Sequence, residues 1–352
     1  MKTVAAVKIG SLKDPNEATR GRVAVIDLPE QEMGPEDIKI KVAYCSICGS
    51  DPHLVEGIFG WEPPFGLGHE VSGTIVALGE KATKKGLKIG DRVAGNFLKF
   101  CGTCYYCLNG QEQFCENLHE YNRPGMSEYL VWHESQVLKI PDNLSLKEAC
   151  LLEPVSIAVR IVDKSNMKVG QRAAISGGGP IGQLTLQLMK KFGATSLTLI
   201  EPIADRRDLA KEFGADHVID PMQQDVRKEM EKITGGRGFD VVIEASGSPK
   251  AANTALDIAA KGGTVLYIAM FPNDYEMPLN LYRKCYENEL TISGTFVAPY
   301  AFPRAMQLLT ELNLKPFTQK IFPLDQGIEA FEAHVSGKYP KVLIQCSEDL
   351  EY

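Results

Sequence analysis

The chain has 352 residues, 44% of them hydrophobic and 24% charged, a size and composition that suit a globular protein of two domains. A formal net charge of −7 repels phosphate backbones and anionic lipid surfaces, which argues against nucleic acid and membranes as partners. An anionic cofactor is not excluded, because a helix N-terminus supplies positive potential locally whatever the net charge.

The first stretch, to roughly residue 155, holds short β-type runs broken by Gly and Pro. They are Ile38 to Val42, Val71 to Leu78, Arg92 to Ala94 and Tyr129 to Val131, and their alternation predicts an antiparallel, barrel-like domain. After Glu153 the rhythm changes to strand, helix, strand. Ala173 to Ser176, Leu197 to Ile200, Asp240 to Ile243 and Thr264 to Ile268 read as strands, with helices at Ile181 to Phe192 and Asp205 to Phe213. That alternation predicts a doubly wound parallel sheet with helices on both faces. A further helix, Ala301 to Leu312, and a last strand, Val342 to Ile344, are expected to pack back onto the first domain.

Met1 to Lys8 lacks the apolar run of a secretory signal, and no stretch is long enough to span a bilayer, so a cytoplasmic location is expected. In a reducing compartment nine cysteines make a poor disulfide framework, and metal binding is the better reading.

Cys101, Cys104, Cys107 and Cys115 carry that reading furthest. Their CxxCxxCxxxxxxxC spacing gathers four thiolates on short turns, the donor set of a closed structural zinc site. An iron–sulfur cluster would also take thiolates, but the spacing is not that of the ferredoxin runs.

A second group of ligand-type residues lies in Cys48-Gly49-Ser50-Asp51-Pro52-His53, Gly68-His69-Glu70 and Glu153-Pro154. A thiolate, an imidazole and carboxylates are the mixed donors of a catalytic zinc that keeps one position open. Taken singly, a buried Cys is packing and a Glu is a solvated face; together they point to a centre.

These motifs, with the cysteine loop and a glycine motif below, stand in the order found in the zinc-dependent medium-chain alcohol dehydrogenases, which the chain resembles over nearly its whole length. The branch it is most similar to is that of the polyol, butanediol and threonine dehydrogenases, because Glu153-Pro154-Val155-Ser156 stands where other members place a third ligand that is cysteine. The resemblance implies a GroES-like β-rich catalytic domain, residues 1–154 and 296–352, and a Rossmann domain, residues 155–295. It implies that Cys48, His69 and Glu70 hold the catalytic zinc, and that Glu153 either completes the shell or holds a zinc-bound water. Coordination lowers the pKa of a secondary alcohol, so that hydride leaves readily. Ser50 and His53 are then expected to relay the hydroxyl proton to solvent.

Gly177-Gly178-Gly179-Pro180-Ile181-Gly182 matches GxGxxG between a strand and a helix, where Gly177 allows the tight turn, Gly179 the approach of a pyrophosphate, and Gly182 close helix packing. Glu201, at the end of the next strand, would bind a ribose 2′-hydroxyl and repel a 2′-phosphate, which favours NAD over NADP. Arg206 either pairs with Glu201, lies along the ribose or is an exposed helix-face arginine. By the resemblance, Ile268-Ala269-Met270 and Thr295-Phe296-Val297 flank the nicotinamide.

The expected substrate is a small polyol, diol or sugar-derived secondary alcohol, with threonine second; Asn122-Arg123-Pro124-Gly125 resembles threonine dehydrogenases. Phe59-Gly60-Trp61 either sorts substrates or packs. A homodimer or homotetramer is expected. The alternative of a non-catalytic dinucleotide-binding relative would call for loss of Cys48, His69 or Glu153, and all three are present.

Overall fold

The computed structural model describes residues 1–82, 84–118, 124–272 and 274–347. Asn122 and Arg123 lie outside them. The chain divides into two units, Met1–Glu153 with the stretch from Phe302 onward, and Pro154–Ala301.

The first unit carries β1 (Lys2–Lys8), β2 (Arg22–Asp27), β3 (Asp37–Ser46), β4 (Phe65–Gly66), β5 (Glu70–Leu78), β6 (Arg92–Gly95), β7 (Tyr129–His133) and β8 (Val137–Lys139). The second carries β9 (Arg172–Ser176), β10 (Ser196–Ile200), β11 (His217–Ile219), β12 (Phe239–Glu244), β13 (Ala259–Tyr267) and β14 (Thr291–Gly294). The chain then returns to the first unit with the helix Phe302–Leu309 and with β15 (Ile321–Pro323) and β16 (Leu343–Gln345).

In β3, Ile38, Ile40 and Val42 are fully buried while Lys39 and Lys41 point the other way, the period-two pattern of a strand with one covered face. The main sheet of this unit runs β15-β16-β3-β5-β6-β8, with β7 also pairing β3. Its pairs are antiparallel except β15 with β16. The β3–β5 register slips between Lys39 and Ile40 and again between Val42 and Tyr44, irregularities of the kind that bend a strand around a core. That core gathers Ile38, Ile40, Ile75, Trp132, Phe331 and Ile344. Most important for the site, β16 and β5 flank β3 on its two sides, with Ser46 opposite Leu343 on one and Glu70 on the other.

In the second unit all six strands are parallel, in the order β11-β10-β9-β12-β13-β14. The chain winds outward from β9 in one direction and then, from β12, in the other. Such a sheet has a crevice at the carboxyl ends of β9 and β12, where the winding reverses. The helix Val226–Thr234 illustrates local specification: the Asp225 carboxylate accepts from the Arg227 and Lys228 amides at its start, and Gly235 closes it at φ 65°.

Candidate functional site

In the first unit, β3 ends at Ser46 and the chain turns through Cys48 into the short helix Ser50–Val55. Asp51 Oδ2 accepts from the Cys48 amide at 2.7 Å and so ties the cysteine to the first turn of that helix. On the neighbouring strand, His69 follows Gly68, whose φ is +96° and whose missing Cβ would lie 2.7 Å from Cys45 Sγ and 2.5 Å from Met126 Cγ. Only glycine fits that turn, and it delivers His69 to the start of β5. Cys48, His69 and Glu70 consequently offer ligand atoms that all lie within 4.8 Å of one another.

Around this group the structure supplies partners. Asp51, with no exposed surface, places Oδ1 3.5 Å from His69 Nδ1. A carboxylate on the Nδ1 side of the ring favours a proton on that nitrogen. Burial lowers the His69 pKa, but the nearby charges of Asp51 and Cys48 outweigh it, so the net direction is well above the ordinary histidine value. Phe97 covers the imidazole, its ring centroid 4.9 Å away. Glu70 is fully buried, accepts from Ser46 Oγ, and lies 2.7 and 2.6 Å, through Oε1 and Oε2, from Lys341 Nζ. Lys341 arrives from the segment leading into β16, so the adjacent ends of β16, β3 and β5 build the centre together.

Glu153, the second residue of the helix Leu152–Ser165, is buried but falls outside the 4.8 Å group. Burial, reinforced by Glu70 and Asp51 and opposed by His69 and Lys341, pushes its pKa up to about 7. With Cys48, Asp51, Glu70 and Glu153 set against Lys341, the donor set is rich in acidic groups and suits a divalent cation. Ser50 begins the helix Ser50–Val55, half-buried, and His53 lies one turn on with its side chain 42% exposed and Nδ1 2.9 Å from Glu56 Oε2. His334, on the helix Gly327–Val335, is held neutral: burial first, then Lys341, pull its pKa down to about 4.

The four-cysteine loop is assembled as a cage, with all four sulfur atoms within 4.8 Å of one another and Cys101 Sγ 3.9 Å from Cys107 Sγ. Tetrahedral zinc–sulfur bonds of about 2.3 Å require sulfurs about 3.8 Å apart, so the cage has the right size. The Cys104 amide donates to Cys101 Sγ, and the Cys101 amide to Cys115 Sγ, each at 3.4 Å. Hydrogen bonds from Thr103 and then Cys104 bring Cys101 down to about 5, while burial pushes Cys107 up to about 12 and raises Cys115.

In the second unit the glycines divide by role. A Cβ on Gly177 (φ +106°) would lie 2.8 Å from the backbone of Ala245 and Ser246, and one on Gly182 would lie 2.0 Å from Gly177 O. At Gly179, the N-cap of the helix Pro180–Lys191, a Cβ would meet nothing within 4 Å. Gly177 and Gly182 are thus required by the fold, while the space beside Gly179, at the start of the helix, is open. Glu201 follows β10 directly and is buried; its Oε2 accepts from the Gly178 amide at 2.6 Å and its Oε1 from the Ile203 amide at 3.0 Å. Arg206 Nη1 is 3.9 Å from Glu201 Oε2. Ile268, Ala269 and Met270 follow β13, and Thr295, Phe296 and Val297 follow β14, at the carboxyl edge of the sheet. Arg160 Nε donates to Thr295 Oγ1 at 3.2 Å, Phe296 is exposed, and Val297 sits at φ 45°, a backbone region that β-branched residues rarely occupy.

Residues 34–142 match the family model of the alcohol dehydrogenase GroES-like domain, and residues 180–311 that of zinc-binding dehydrogenases. The chain is 33% identical over 338 residues to the D-arabitol-phosphate dehydrogenase of Enterococcus avium, covering 93% of this chain and 95% of that one. The chain belongs to the zinc-dependent medium-chain alcohol dehydrogenase family. The L-threonine 3-dehydrogenase of Pyrococcus furiosus is 34% identical to this dehydrogenase, with 90% of this chain and 93% of the relative covered. A zinc-binding dehydrogenase of Sinorhizobium meliloti, solved with NADP, superimposes with a TM-score of 0.85 at 30% identity, covering 98% of this chain and all of that one.

Reading the sequence alone misses four contributors to this dehydrogenase's first centre: Asp51 as the partner of His69, Phe97 over its ring, and Ser46 and Lys341 on Glu70. Asp51 stands inside the cysteine motif, where a carboxylate three residues after a ligand is a signal that can be used. Lys341, 271 residues from Glu70, leaves none.

Proposed function

We propose that this dehydrogenase oxidises a small polyol, diol or sugar-derived secondary alcohol with NAD, using one catalytic and one structural zinc per chain. The observation that carries the reading is the pair of ligand groups, one mixed and one all-thiolate, that the fold assembles in the first unit. Cys48, His69 and Glu70 would hold the catalytic zinc, and Cys101, Cys104, Cys107 and Cys115 the structural one. When bound, the catalytic zinc supplies the Lewis acidity that acidifies a substrate hydroxyl, and the nicotinamide accepts the hydride from the carbinol carbon.

The chain's own residues do the rest. Asp51 fixes the His69 ring, and Lys341 with Ser46 fixes Glu70. Glu153, buried and outside the ligand group, suits the role of holding a water rather than the ion. Ser50 takes the hydroxyl proton and His53, open to solvent, passes it out, with Glu56 anchoring Nδ1. Glu201 selects the unphosphorylated ribose of NAD, with Arg206 beside it. Ile268 to Met270 and Thr295 to Val297 border the nicotinamide. The active form is a cytoplasmic homodimer or homotetramer, and β14, an edge of the six-stranded sheet, offers a strand for pairing between copies. Threonine is the second substrate reading, favoured by the 34% identity to a threonine dehydrogenase.

The test is a panel of polyols, diols, sugars and threonine scored by NADH absorbance, with and without a chelator, alongside zinc analysis. Turnover that is abolished by the chelator and peaks on a polyol or diol is expected. Active enzyme holding zinc in the cysteine loop alone overturns the mechanism, and a Ser50→Ala variant with wild-type oxidation below neutral pH removes the relay.

A further inference from the structure

Gln183 follows the last glycine of the dinucleotide motif and is 1% exposed, so it cannot touch a cofactor. Its Nε2 donates to two carbonyl oxygens, Arg206 O at 2.7 Å and Gly178 O at 3.3 Å. The partners fix the amide's orientation, since the flipped form would set oxygen against oxygen. The other end, Oε1, is buried without a hydrogen-bond partner among the described residues. An apolar side chain of the same volume would fill this place without leaving an acceptor dry. The function of the amide therefore lies in what its N–H groups hold.

Those two carbonyls belong to the two turns that, on the function proposed above, would border the cofactor's adenosine. Gly178 lies in the glycine turn, and Arg206 in the first turn of the helix Ala204–Glu212. The Gly178 amide donates to Glu201, and Glu201 accepts in turn from Ile203, three residues before Arg206. Gln183 closes this into a ring that runs from Gly178 to Glu201, along the chain to Arg206, through the Gln183 amide and back to Gly178. Both carboxylate oxygens of Glu201 are held by backbone N–H groups inside the ring.

We propose that Gln183 is a positioning residue for cofactor recognition, locking the Glu201–Arg206 turn onto the glycine turn so that the adenosine ribose meets a carboxylate already in place. Preorganisation of this kind contributes affinity by removing the ordering cost at the moment of binding. The inference rests on the reading of Glu201 as the ribose-binding group.

Gln183→Met and Gln183→Leu keep the volume and favour helix, but remove both N–H groups. Calorimetric titration with ADP-ribose, which lacks the nicotinamide, isolates this half of the site. We expect affinity for ADP-ribose to fall roughly five- to tenfold in both variants, the scale of one or two lost hydrogen bonds. The preference for NADH over NADPH falls with it. If both variants keep the ADP-ribose affinity and the cofactor preference, whatever happens to their melting temperature, Gln183 is packing and the proposal fails. A wild-type enzyme that binds NADPH as tightly as NADH would instead overturn Glu201 as the selector, and the ADP-ribose titration would still decide Gln183.

Discussion

Lys341→Met tests the least visible part of the first centre. The Lys341 ammonium and the Glu70 carboxylate are almost wholly buried, with nitrogen to oxygen distances of 2.6 and 2.7 Å. At an effective dielectric constant of about 20, opposite charges that close attract by about 6 kcal/mol, against which stands the cost of taking both out of water. Methionine keeps the stem and deletes the charge, leaving the carboxylate with Ser46 as its remaining neutral donor among the described residues. Stranding a buried charge in this way costs about 3–5 kcal/mol. For a unit of this size each kcal/mol moves the melting temperature by about 2–4 °C, so a drop of roughly 6–20 °C is expected. The assay is thermal melting of chelator-treated protein for wild type, Lys341→Met, Glu70→Gln and the double variant. Neutralising Glu70 as well should recover at least about 2 kcal/mol of the loss, the coupling expected of residues in direct contact. A Lys341→Met protein that melts with the wild type, or a double variant as unstable as the two single losses summed, would refute the pair as a support of the centre.

Three further outcomes follow from the geometry. Asp51→Asn preserves shape but removes the charge facing His69, and should weaken zinc at the mixed centre about 10- to 100-fold in chelator competition while the cysteine loop keeps its metal; equal retention at both sites would count against it. Gly182→Ala, with a Cβ 2.0 Å from Gly177 O, should lower the melting temperature of the second unit, whereas Gly179→Ala, with open space around it, should melt with the wild type yet lose NADH affinity in fluorescence titration. Cys107→Ser should reduce zinc content by one ion per chain and destabilise the first unit, because three thiolates no longer close the cage; unchanged zinc by elemental analysis would remove the cysteines as a metal site.

Much of this was legible because period and punctuation agree in the sequence. Ile38, Ile40 and Val42 alternate with lysines and form β3, and the glycine motif falls between a buried strand and an amphipathic helix, as its chemistry requires. The cysteine cage is legible because its ligands are neighbours in the chain. What sequence reading cannot reach depends on strand pairing. The register that sets Ser46 against Glu70 on one side and Leu343 on the other decides which lysine meets which glutamate, and no local pattern encodes it. The ring through Gln183 was hidden for a similar reason: a glutamine in the first turn of a helix looks like any other polar helix residue until its carbonyl partners are known. The predicted helix Ala301 to Leu312 is shorter in the structure, Phe302–Leu309, since its last residues turn toward the short helical segment Lys315–Thr318.

The placement of Lys341 also orders events during synthesis. A chain leaving the ribosome exposes Cys48, His69 and Glu70 hundreds of residues before the lysine that neutralises Glu70 emerges, at roughly 5–20 residues per second. For that interval the acidic half of the centre stands without its counter-charge. Arrival of β16 beside β3 then completes the electrostatics, so the centre closes only once β16 has been made.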